Sequence, residues 1–109
     1  GIGACGVQTR KVLLTYKVHD RVPWLQWSVP DAPVGPVTCL NGLGTRRWFD
    51  LPEQPVLEGA VHDGLEEQIS RVHAMLRTAK AMGIASSRIV LGGFSQGAVL
   101  ALHAGLTFE

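Results

Sequence analysis

The residues best suited to covalent chemistry are Gly93-Phe94-Ser95-Gln96-Gly97, a G-x-S-x-G pentapeptide. Chance places this pattern in a chain of such length roughly a few per cent of the time, so its setting decides its meaning. Arg88-Ile89-Val90-Leu91 before it is a compact apolar run suited to a buried strand. Ala98 to Ala104 after it has the alanine- and leucine-rich composition of a helix. A serine on a tight strand-to-helix turn has its hydroxyl lifted above the sheet edge, where it can attack an acyl carbonyl. Glycines on either side keep side chains away from the neighbouring strand and helix. Gln96 opens the helix, so its backbone N–H points to where the oxyanion of a tetrahedral intermediate would form. The bland alternative is a glycine-rich turn with no chemistry. A phosphate-cradling loop is the other competitor, but neither G-x-x-x-x-G-K-[ST] nor G-x-G-x-x-G occurs at this turn.

A serine hydroxyl is a weak nucleophile and needs a histidine base oriented by a carboxylate. With a serine on such a turn, the acid and then the histidine come later in the chain. His103 is the one histidine after Ser95. On a continuing helix it lies about 12 Å along the axis, too far to take the Ser95 proton, and it reads as a surface or packing residue. His19, His62 and His73 precede the serine with no spacing that commits them, and they read as structural or exposed. Asp50 and Asp63 also precede it. The triad is incomplete here.

The elements that must position Ser95 alternate between strand and helix. Leu65, Ile69, Val72, Leu76 and Ala79 recur at steps of four and three, which predicts a helix from about Leu65 to Met82. Asp63 with Glu66 three residues later reads as its capping box, and Gly83 followed by Ile84 as its stop. Lys11 to Val18 fits either a strand or a short helix, Trp24 to Val29 reads as a strand, and Gly1 to Gly6 as a loop. Pro30, Pro33 and Pro36 enforce an extended, non-helical connection. Trp48-Phe49-Asp50 falls in the loop that follows. The order predicts an α/β fold, three layers αβα, with right-handed βαβ units on a mostly parallel sheet. With the serine turn, the expectation is part of an α/β-hydrolase fold. Residues 1–109 read as a single incomplete domain, and both ends read as cut.

Bulk properties agree. Hydrophobic residues make up 46% of 109 and the mean hydropathy is +0.16, a bias expected of strands buried on both faces. The net charge of +1 leaves no footprint for nucleic acid. Arg10-Lys11 and Arg46-Arg47 are too short to change that and read as solvated charge. Cys5 and Cys39 are too few for a disulfide scaffold, and two free thiols fit a reducing cytosol, so a cytoplasmic location is expected. No apolar run is long enough to span a membrane.

These residues carry a resemblance. From about Trp24 to Thr107 the chain resembles the acyl-protein thioesterases and related lysophospholipase/carboxylesterases. The matching pieces are Pro30-Asp31-Ala32-Pro33 with Pro36-Val37-Thr38, then Trp48-Phe49-Asp50, then Arg88 through Gly97. The resemblance implies Ser95 as nucleophile and the Gln96 N–H as one oxyanion-hole donor. It implies a second donor from a loop reading H-G-L-G-D, of which Gly1 to Gly6 looks like a divergent remnant that places Ile2 at the donor position. The histidine of that loop is missing, and Ala4 stands where its aspartate would be. Trp48-Phe49-Asp50 is then either an element near the acyl pocket or an ordinary buried aromatic pair. Val7 to Pro23 matches no motif. The full-length parent is expected to cleave long-chain acyl esters or thioesters, including palmitoyl groups on protein cysteines and lysophospholipids. The route is an acyl-Ser95 intermediate, with no metal or organic cofactor and with the triad Asp and His beyond Glu109. The competing expectations are a catalytically inactive, truncated hydrolase-like fragment or a non-enzymatic interaction module, and a flavodoxin-like binding domain.

Overall fold

The computed structural model describes residues 1–109. The apolar stripe read from the sequence forms its longest helix, α3 (Leu65–Ala81). Ile69 and Val72 on that stripe pack against Leu100 and Ala104 of α4 (Gln96–Thr107), with Leu65, Leu76 and Trp48 along the margin. His73 fastens the pair, its Nε2 lying 3.0 Å from the Ala104 carbonyl oxygen and 3.3 Å from Thr107 Oγ1. The glycine stop is present in full: Gly83 has φ 90°, its N–H donates to Lys80 O, and the Ile84 N–H donates to Ala79 O. Only a residue at ease in the left-handed region closes a helix this way.

The start of α3 differs from the expected capping box. Gly64, at φ 89°, immediately precedes the helix and no side chain caps it. Asp63 instead gives its carbonyl oxygen to the Asp50 N–H, 2.8 Å away. Glu66 and Glu67 still lie in the first turn, where negative charge complements the helix dipole.

The sheet is a correction. In place of a mostly parallel sheet, these residues hold one antiparallel hairpin, β1 (Val34–Val37) and β2 (Leu43–Arg46), in register Val34↔Arg46 to Val37↔Leu43. Asn41 and Gly42 turn it, both at positive φ. Asn-Gly is the sequence signal that could have found it. The run after Arg88 enters extended, with Ile89 at φ −106° and ψ 127°, but has no partner strand and so is not part of a sheet.

Trp24 to Val29 is not a strand either. Its carbonyls are engaged elsewhere: Arg10 donates to Trp27 O, and Val29 O lies so close to Gly6 that a Cβ there would stand 2.5 Å away. The ambiguous segment resolves as helix, α1 (Gly6–Thr15) followed by a single turn, α2 (Val18–Arg21). Below the hairpin, Val37, Phe49 and Leu51 form a second small core. Ile2, Cys39, Trp48 and Leu65 pack against it, so Trp48 and Leu65 touch both cores.

Candidate active site

The backbone around Ser95 makes a sharp, strained bend. Ser95 has φ 55° and ψ −125°, a strained backbone for a residue with a side chain, and α4 begins at the next residue. Its hydroxyl makes no hydrogen bond to cap that helix, and Ser95 is exposed. Gly93 is required. A Cβ there would lie 2.0 Å from the Gly97 carbonyl oxygen and 2.6 Å from the Ala98 nitrogen, backbone atoms with no room to retreat. The second motif glycine differs: a Cβ on Gly97 would meet only Trp48, at 3.5 Å, an ordinary contact. The expectation that both flanking glycines avoid collision holds for Gly93 alone.

Gln96 opens α4, so its N–H has no acceptor in the preceding turn. Its side chain is buried, with 4% of its surface exposed. There it reaches back across the fold: Oε1 accepts from the Trp48 N–H at 3.0 Å, and Nε2 donates to the Phe49 carbonyl at 2.8 Å. The two partners fix which end of the amide is which. Sequence reading singled out the Gln96 amide and missed this side chain, because no local spacing links residues 48 and 96.

Ile2 is brought to the same place. Its side chain packs on the Val37–Phe49–Leu51 core, and the adjoining Gly1 lies beside the serine, a Cβ there being 3.6 Å from Ser95 Cβ. The Gly3 N–H donates to Arg46 O at 2.8 Å, while the Ile2 N–H has no backbone acceptor. The stretch Gly1 to Gly6 also spells G-x-G-x-x-G ahead of a helix. Asp31 accepts the Gly6 N–H there, which leaves a carboxylate at the helix start and argues against a phosphate site.

Trp48-Phe49-Asp50 is a structural crossroads. Phe49 is fully buried, and Asp50 accepts from both the backbone N–H and the hydroxyl of Thr38. Those bonds, the hydroxyl's first, hold the Asp50 carboxyl below the usual carboxylate range. The histidines stay apart from Ser95 in their bonding. His62 Nδ1 faces Asp50 O and its ring lies against Phe49, His73 ties α3 to α4, His19 stacks on Trp27, and His103 is exposed on α4.

A serine strained at the mouth of a helix, with a glycine jammed beneath it, defines the nucleophile elbow of α/β hydrolases. The chain belongs to the Phospholipase/Carboxylesterase family, whose model matches residues 1–109. It is 36% identical to acyl-protein thioesterase 1 of Schizosaccharomyces pombe over 84 residues, 77% of this chain and 38% of that protein. It is 33% identical to carboxylesterase SOBER1 of Arabidopsis thaliana over 110 residues, 99% of this chain and 48% of that one. The crystal structure of SOBER1 superimposes with a TM-score of 0.87 over 99% of this chain and 52% of that chain. The chain thus spans about half the length, or less, of these relatives. No helix is long and apolar enough to cross a membrane.

Proposed function

We propose that this chain is the nucleophile-bearing portion of a serine hydrolase that cleaves acyl esters or thioesters through an acyl-Ser95 intermediate. The observation that carries the reading is Ser95 itself, exposed at positive φ and followed by an amide N–H with no acceptor of its own. Ser95 Oγ attacks the acyl carbonyl and gives its proton to a histidine base. The Gln96 and Ile2 N–H groups hold the oxyanion, and collapse expels an alcohol or thiol that takes the proton. Water then attacks the acyl-serine and restores the hydroxyl. The names of the relatives support this reaction class. The substrates we propose are long-chain acyl groups on protein cysteines or on lysophospholipids, in the cytoplasm.

No histidine within the chain is hydrogen-bonded to Ser95. The base and its carboxylate are therefore assigned to sequence outside these 109 residues, and the chain alone is inert. A fluorophosphonate probe tests both points. Labelling at Ser95 in the full-length protein, lost in Ser95→Ala, supports the reading. Ester turnover by residues 1–109 alone contradicts the missing-partner claim, and an unreactive Ser95 in the full-length protein favours an interaction module.

A further inference from the structure

The two N–H groups assigned to the oxyanion come from residues 2 and 96, and one short segment holds the residue after the first and the side chain of the second. Arg46 O accepts from Gly3, the residue after Ile2, at 2.8 Å. Two and three residues on, the Trp48 N–H and the Phe49 carbonyl are both taken by the Gln96 side chain, at 3.0 and 2.8 Å. The same segment is braced from below by Thr38 on Asp50 and by the Cys39 N–H on Leu51 O. Residues 46 to 49 thus act as a bar, with the Gly3 amide, next to Ile2, held at one end and the Gln96 side chain at the other.

We infer that the Gln96 side chain is a positioning residue that sets the separation of the Gln96 and Ile2 amides, and so the size of the oxyanion hole. The inference rests on the hydrolase reading above. Its physical basis is that Gln96 both carries a donor and anchors it, through two bonds made by a buried side chain where each group has a single partner. The strained Ser95 backbone next door would otherwise relax and carry the amide with it. Displacing such a donor by about 1 Å costs on the order of 100-fold in rate while leaving ground-state binding nearly intact.

Two substitutions in the full-length protein test this, read as kcat and KM for an aryl ester. Gln96→Leu removes both bonds and is expected to lower kcat about 100-fold with KM changed by less than about three-fold. In Gln96→Glu the neutral acid can still accept from Trp48 and donate to Phe49, whereas the carboxylate can only accept. The ratio of its kcat to that of the unsubstituted protein should therefore rise steadily as pH is lowered. Arg47 and Asp50 lie on either side of Trp48 and Phe49, and Arg71 lies over the Trp48 ring; all three are common to both proteins, so the ratio reports the new carboxyl. A leucine variant with unchanged kcat, or one that raises KM alone, overturns the inference, and so does a glutamate ratio that is flat with pH. If the leucine variant does not fold, the glutamate ratio decides. Failure of the hydrolase reading looks different, because the unsubstituted protein itself then leaves a fluorophosphonate probe unreacted.

Discussion

A Cβ on Gly93 would stand 2.0 Å from the carbonyl oxygen of Gly97, and no rotation of a side chain can relieve that contact. The bend under Ser95 brings two stretches of backbone together at a distance only glycine allows. Gly93→Ala is expected to force the turn open and to reduce Ser95 labelling in the full-length protein by more than about 100-fold. Gly97→Ala should behave oppositely. Its new methyl meets Trp48 at an ordinary distance, and alanine is favoured over glycine in a helix by about 0.5–1 kcal/mol. Equal loss in both variants, measured by probe labelling beside circular dichroism, would count against this asymmetry.

Ser95 itself is held against its own preference. A non-glycine residue at φ 55° and ψ −125° stores about 1–3 kcal/mol, partly offset in Ser95→Gly by the greater freedom of glycine in the unfolded chain. That variant should gain about 1 kcal/mol of stability while losing all probe labelling. Ser95→Ala, which keeps the Cβ, should lose labelling without the gain. Urea titration distinguishes them, since a true stability change moves the midpoint and leaves the slope alone.

Asp50 links the segment beneath the elbow to the hairpin end through its two bonds from Thr38. Those bonds lower its carboxyl pKa in the folded chain. A lowered folded pKa means that the carboxylate contributes stability above its ordinary unfolded value, and that this contribution is lost as pH falls through the folded value. Asp50→Asn should therefore melt below the unsubstituted protein at pH 7. The difference should shrink as pH is taken below about 4. A gap that stays constant down to pH 2.5 would place its origin elsewhere.

The structure of this chain was legible in its sequence where it is local, and was not where it depends on partners. Leu65 to Ala79 announces α3 because a helix face is written in nearest turns, and Gly83-Ile84 announces its end. The serine turn is equally local, so the bend at Ser95 and the helix start at Gln96 could be located from five residues. Ile89 to Leu91 shows the limit. Its composition is that of a buried strand, but composition cannot say which strand lies beside it, and these residues contain none. Trp24 to Val29 fails for a related reason, since its carbonyls face an arginine and a glycine on α1 instead of a ladder. The Gln96 bonds to Trp48 and Phe49 join residues nearly fifty positions apart, and only coordinates disclose them.

That unpartnered run sets the behaviour of the isolated chain. Val90 and Phe94 are each 82% exposed, and on the same segment Leu91, Gly92 and Gly93 line an open apolar groove of about 340 Å³ together with the exposed Leu102 and Leu106 of α4. An extended segment with free backbone N–H and C=O groups beside such a groove is a template for pairing with another chain. Residues 1–109 expressed alone should bind a hydrophobic dye and run larger than a monomer at tens of micromolar. Val90→Lys should shift both readings toward monomer, since a charge on an exposed edge discourages pairing. The Ser95 bend lies on the same segment, so the monomeric variant should also show faster amide exchange from residue 89 to 94 than within α3, whose core contacts with Leu100 and Ala104 are intact. A sharp, concentration-independent melt for the unsubstituted 109 residues would mean that this edge is protected after all.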